Sequence, residues 1–152
     1  MELIRIVAEF GTPIEDMKEI YILFVRSILE QSATLWHSSL TQENIEDLER
    51  VQKSATKLML STSEMSYKTR LAILGLETLS ARRETLCLNF ALKCTKSDKV
   101  SHMFPLNKKE HAMETRLEDK FKVQFSNTTR LKNSPIKYIQ KLLNENEKKK
   151  QI

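Results

Sequence analysis

Only two glycines and three prolines punctuate this chain of 152 residues. Tight hairpin turns need residues that accept positive φ, and phosphate-cradling loops need several glycines close together. So few of either exclude a many-stranded sandwich or barrel and a Gly-rich nucleotide loop. The chain reads as all-α. Its apolar fraction of 40% is near that of ordinary globular proteins, which argues against wholesale disorder. The length suits one domain or two very small ones.

Charge is unevenly spread. Residues 1–49 carry three basic side chains (Arg5, Lys18, Arg26) against ten acidic ones, a net −7. The remainder carries 22 against ten, a net +12. A segment that basic is the footprint of something that meets phosphates, whether RNA or an anionic surface, or else a lysine-rich solubilising face. No stretch approaches the roughly 20 apolar residues of a membrane span. The opening MELIRIVAEF holds two acidic residues and no small-residue cleavage site, unlike a signal peptide. Cys87 and Cys94, seven apart on one expected helix, stand ~10 Å from each other, too far for a disulfide. A reducing intracellular compartment, nuclear or cytoplasmic, is the expectation.

Helix signals recur along the chain. Thr12-Pro13-Ile14-Glu15 reads as a cap, a first-turn proline and a capping-box glutamate. A helix over about 13–37 follows, with Met17, Tyr21, Phe24, Ile28 and Leu35 as its stripe, apolar over most of its circumference and hence expected at the centre. Thr41 caps a second helix, whose early Glu43, Glu46, Asp47 and Glu49 and later Arg50, Lys53 and Lys57 match the helix dipole. Ile45, Leu48, Val51, Ala55, Leu58 and Met59 are its expected buried stripe. The short Ser38–Leu40 joint predicts an antiparallel hairpin. A short helix over about Ser66–Leu74 stops at Gly75, with Leu76 folding back over its last turn. Thr78 or Ser80 opens another to about Lys96, with Leu79, Leu86, Phe90 and Cys94 along one side.

Beyond Lys99 the periodicity fails. Residues 120–125 alternate like a short strand that has no obvious pairing partner, and Ser134-Pro135 opens a final short helix ending in a charged, frayed tail. The expected architecture is therefore an antiparallel helical hairpin with two or three shorter packed helices (1–99) and an irregular basic C-terminal arm (100–152).

Catalytic and metal chemistry find little support. Cys87, Cys94, His102 and His111 space as C-x6-C-x7-H plus one, matching no usual zinc pattern, and the two cysteines are too distant to share an ion. Glu46, Asp47 and Glu49 read as helix-start charges, not as carboxylates converging on metal ions. No cofactor is implied. Arg50, Lys53 and Lys57 lie along one side of a helix, and Arg82 and Arg83 open another. Lys108, Lys109, Arg116, Lys120, Lys122, Arg130 and Lys132, interleaved with Phe121 and Phe125, can track a backbone and stack bases, or can be solvated surface around two core phenylalanines.

The runs EFGTPIEDMKEIYILFVRSILEQSATLWHSSLTQENIEDLERVQKSATKLML, LGLETLSARRETLCLNFALKC, HMFPLN and RLKNSPIKYIQKLLN occur in that order. Together they resemble the end of the reverse transcriptase (RNA-directed DNA polymerase) of jockey-like non-LTR retrotransposons, downstream of the polymerase palm. The resemblance covers Glu9 to about Asn144. It implies a thumb-like hairpin over Ile14–Leu60, with Leu74–Lys96 as part of the connection behind it, gripping a template–primer duplex. The catalytic aspartates of such enzymes lie upstream of anything in this chain, so the chain alone is not expected to polymerise. Family members usually have a glycine at the position of Ser61 and a longer joint before Tyr67, which suggests a truncated, drifting copy. On this reading Arg50, Lys53, Lys57, Arg82 and Arg83 contact phosphates of an RNA–DNA or DNA duplex without reading bases. The acidic first helix then faces a polymerase body. The alternative is a helical protein-interaction module or an inert relic that self-associates through the apolar face of helix 14–36.

Overall fold

A computed structural model describes residues 2–62, 64–107, 119–123 and 125–150. Among them the chain is all-α, and its one β feature is an isolated antiparallel bridge between Leu106 and Phe121. Lys108, Lys109, His111 and Arg116 lie outside the described residues. Two compact units divide the chain: Met1–Ala33 with Leu40–Arg83, and Thr34–Ser39 with Glu84–Ile152. The division between Arg83 and Glu84 falls inside a helix, Leu79–Lys96.

In the first unit, α1 (Glu2–Glu9) is a helix that the sequence reading did not anticipate. Its Ile4 is fully buried, with Val7 and Ala8 packed on the same core. The Thr12 hydroxyl does not cap the next helix. It donates to the Val7 carbonyl at 2.9 Å, closing the end of α1, and α2 (Ile14–Ile20) starts with no side-chain cap.

The expected single helix over 13–37 is broken. α2 runs into a π-helical segment, Tyr21–Arg26, and then α3 (Ser27–Glu30), before Ser32 turns left-handed at φ +54°. α4 (Ala33–Trp36) and a 3₁₀ turn (His37–Ser39) follow. The wider i→i+5 turn shifts the register of every side chain after it. Met17 and Tyr21 are buried, but Leu23, Phe24 and Ile28 are mostly exposed. The helix is therefore not the all-round buried one that its apolarity suggested.

α5 (Gln42–Met59) is capped by Thr41, which accepts from the Asn44 N–H at 3.2 Å. Its buried line is Gln52, Ala55, Thr56 and Met59, and the expected Ile45, Leu48, Val51 and Leu58 are only half-buried. The seam turned because Gln52 and Thr56 are satisfied inside, so their polarity does not bar burial. α6 (Tyr67–Leu74) is capped by Ser66 and stopped by Gly75 at φ +59°. The Leu76 N–H then bonds the Leu71 carbonyl at 2.9 Å and its side chain joins the core. These are the signals expected of that turn.

α7 (Leu79–Lys96) has Thr78 as its cap, accepting from the Ala81 N–H at 3.2 Å. Its buried positions are Leu79, Arg83, Cys87, Ala91 and Cys94, spaced four, four, four and three. Phe90 is exposed and Leu86 half-buried, so the expected stripe is rotated toward the smaller side chains.

In the second unit Ala91, Cys94, Phe104, Phe121, Ile139 and Leu143 form the core. The strand-like segment finds its partner in Pro105–Asn107: the Asn107 N–H bonds the Lys120 carbonyl and the Lys122 N–H bonds the Pro105 carbonyl, each at 2.9 Å. Buried Asn144 clamps Phe121 from both sides, accepting from its N–H at 2.8 Å and donating to its carbonyl at 3.0 Å. α8 (Thr129–Lys132) is a single turn. α9 (Pro135–Lys150) is a full helix, correcting the expected frayed tail from Asn144 onward. Ion pairs Lys120–Glu147 at 2.9 Å and Lys148–Asp119 at 2.8 Å hold its last turns.

Candidate nucleic-acid interface

The five expected phosphate contacts separate into two groups. Arg50, Lys53 and Lys57 are all exposed. On an 18-residue helix they run from its middle toward its C-terminus, within about 60° of arc and roughly 10 Å of axis. The N-terminal half of that side carries Glu43, Glu46 and Asp47, so the positive row begins at Arg50. Its guanidinium bonds Asp47 at 2.8 Å, with both side chains largely in water. Such an exposed pair is worth little and opens readily for a phosphate.

Lys53 is more firmly placed. Its ammonium sits 5.5 Å from the centre of the Tyr67 ring, and the Arg70 guanidinium sits 5.8 Å from the same ring. The Tyr67 hydroxyl donates to Glu49 Oε1 and accepts from Gln52 Nε2 at 3.0 Å. Gln52 also accepts from the Tyr21 hydroxyl at 2.6 Å and donates to the Glu77 carbonyl at 2.7 Å. Glu49 in turn accepts from the Leu79 N–H at 3.3 Å. Glu49 is thus not a solvated helix-start charge but part of a polar knot linking α2, α5, α6 and the start of α7. Burial raises the pKa of both Tyr21 and Tyr67 well above the usual phenol value, and the Glu49 carboxylate reinforces it. Both hydroxyls stay protonated and the knot stays intact across the neutral range.

Lys57 borders a groove of about 490 Å³, together with Arg5, Glu9, Ser61 and Thr62. Arg5 is therefore a cation near the row that the sequence reading missed, because α1 itself was missed. It is exposed and paired with Glu2 of its own helix.

The other two cations are engaged elsewhere. Arg82 is half-buried and bonds Glu30 at 2.8 Å, a carboxylate that also lies 3.7 Å from Arg26. Arg83 is fully buried. A phosphate cannot reach it, which removes it from the expected contact set. Position four residues after Leu79 put its side chain on the buried line of α7, and nothing in the sequence distinguishes it from exposed Arg82 beside it.

The two aromatics of the basic arm also part company. Phe121 is core, at 7% exposure, whereas Phe125 is 90% exposed. Cys87 and Cys94 are buried and not joined in a disulfide, and burial raises the Cys94 pKa. Among the described residues no group of three or more His, Cys, Asp or Glu is placed to hold a metal ion, and no helix is long and apolar enough to cross a membrane. Comparison with models of known families, with curated proteins and with solved structures finds no match in any of the three.

Proposed function

We propose that this chain is a non-catalytic, duplex-gripping fragment akin to the post-palm thumb and connection of a jockey-like non-LTR retrotransposon reverse transcriptase. The observation that carries the reading is the exposed row Arg50, Lys53 and Lys57 on α5, with Lys53 positioned by the Tyr67 ring. Three cations over about 10 Å of helix match a run of backbone phosphates, which lie about 3.4 Å apart along the axis per strand. Contacts of this kind position a duplex without reading its sequence. Arg82 is a reserve contact, available only if it leaves Glu30, and Arg83 takes no part. Chemistry on the nucleic acid belongs to a polymerase chain that this fragment would accompany.

The test is fluorescence anisotropy of the purified chain on a labelled RNA–DNA hybrid, with duplex DNA alongside. The triple variant Arg50→Ala, Lys53→Ala, Lys57→Ala is expected to lose most binding to both while keeping its circular dichroism. Binding unaffected by the triple variant would overturn the assignment of the grip to α5.

A second reading, a helical protein-interaction module, is favoured by Leu23, Phe24 and Ile28, each more than half exposed on one helical run. Concentration-dependent self-association on size exclusion, abolished by Leu23→Ser with Phe24→Ser, is its expected signature. A monomer at all concentrations would count against self-association through that face.

A further inference from the structure

The basic excess of the chain does not reside in the unit that holds α5. Met1–Ala33 with Leu40–Arg83 contain ten Lys and Arg against twelve Asp and Glu, a net −2. Thr34–Ser39 with Glu84–Ile152 contain fifteen against eight, a net +7. Within that second unit, the main chain is held at Phe121 and again at Phe125. Asn144 clamps Phe121. The ammonium of Lys137, a side chain only 6% exposed, donates to the Phe125 carbonyl at 3.0 Å.

Burying a lysine is unfavourable unless its charge is used, and here it fixes the main chain of a residue whose own ring is 90% in water. The hydrophobic effect would ordinarily fold such a ring inward, as it does Phe121 four residues earlier. Lys122, Arg130 and Lys132 are exposed and take part in no ion pair among the described residues. Arg130 and Lys132 sit on α8, which packs on the same α9 that supplies Lys137.

The geometry points to Phe125 as a stacking platform for an unpaired base of single-stranded nucleic acid, with Lys122, Arg130 and Lys132 meeting the flanking phosphates. An aromatic ring takes any base on its face, and adjoining cations track the backbone without sequence preference. Bases inside a duplex are already stacked on each other and cannot offer a face to the ring. This site therefore differs in ligand class from the duplex grip on α5, although it rests on the reading of the chain as a nucleic-acid-handling protein.

The test uses the full chain with a labelled oligouridylate, the same backbone made abasic, a blunt RNA–DNA hybrid and vesicles of anionic phospholipid. Phe125→Ala is expected to weaken oligouridylate binding about tenfold. It should leave hybrid binding and the thermal melt unchanged, while Phe125→Trp retains affinity. An unchanged single-strand affinity, an equal loss on the hybrid, or abasic binding as tight as oligouridylate would overturn the platform. So would vesicle binding that falls in the same proportion. If the hybrid binds through α5 and oligouridylate is indifferent to Phe125, the platform fails and the duplex grip stands. If only oligouridylate binds, and does so through Phe125, the duplex grip fails and the platform stands.

Discussion

Replacing Gln52 by alanine should cost more than any other single truncation on α5, although the residue is polar. Its side chain is fully buried and makes three hydrogen bonds: from Tyr21, to Tyr67 and to the Glu77 carbonyl. Each such bond contributes about 1 kcal/mol net, and a buried group left without its partner loses ~1–3 kcal/mol. The Tyr21 hydroxyl and the Glu77 carbonyl would both be stranded, so the change should destabilise by about 3–4 kcal/mol. That is a large share of the roughly 5–15 kcal/mol that holds a domain together. Urea unfolding followed by circular dichroism should show a midpoint about 2 M lower at unchanged slope. Tyr21→Phe, which strands only one acceptor, should cost about 1–2 kcal/mol. Beside Tyr21→Phe, the Gln52 change should add less than its full cost, because the two share a bond. A loss below about 1 kcal/mol for Gln52→Ala would refute the knot as a stabilising element.

Ser61 holds φ at +47°, a conformation that costs an L-residue about 1 kcal/mol and a glycine nothing. Ser61→Gly should raise stability by ~0.5 kcal/mol after the unfolded-state entropy of glycine is subtracted, whereas Gly75→Ala, at φ +59°, should lower it by about 1 kcal/mol. Differential scanning calorimetry of the pair should move the midpoint in opposite directions. All three tyrosines are held protonated by burial: Tyr138 is pushed up to about 12, and Tyr21 and Tyr67 are raised further. Their folded pKa exceeds the unfolded value, so this stability is fully present below pH 10 and is lost as pH rises beyond it. Spectrophotometric titration should show no phenol ionising near 10 in the folded chain, and one that does so reversibly would contradict the burial.

Signals carried by a few neighbouring residues were legible in the sequence. Thr41, Ser66, Gly75 and Thr78 each act as their local chemistry dictates, because a cap or a left-handed stop depends on the residue and its own turn. Burial depends on what arrives from elsewhere, and there the sequence misled. Gln52, Thr56 and Arg83 look like surface residues yet line the seams. Phe24 and Ile28 look like core yet face water after the π-helical segment shifts their register. Thr12 finds its acceptor in α1, a helix outside the expected set. On the basic side the sequence named Arg50, Lys53 and Lys57, which are exposed, and also Arg83, which is not. Nothing local separates adjacent Arg82 and Arg83 except the position of the seam. The two phenylalanines of the basic arm are equally ambiguous in sequence, and they are told apart only by what arrives from α9: Asn144 at Phe121 and Lys137 at Phe125.

A salt titration of RNA–DNA hybrid binding tests the duplex grip most directly. Each phosphate contact contributes about 0.9 to the slope of log K against log salt on a duplex. The native chain should therefore show a slope steeper by about 2.7 than the Arg50→Ala, Lys53→Ala, Lys57→Ala variant. Equal slopes for the two proteins, or no binding by the native chain even at low salt, would contradict it.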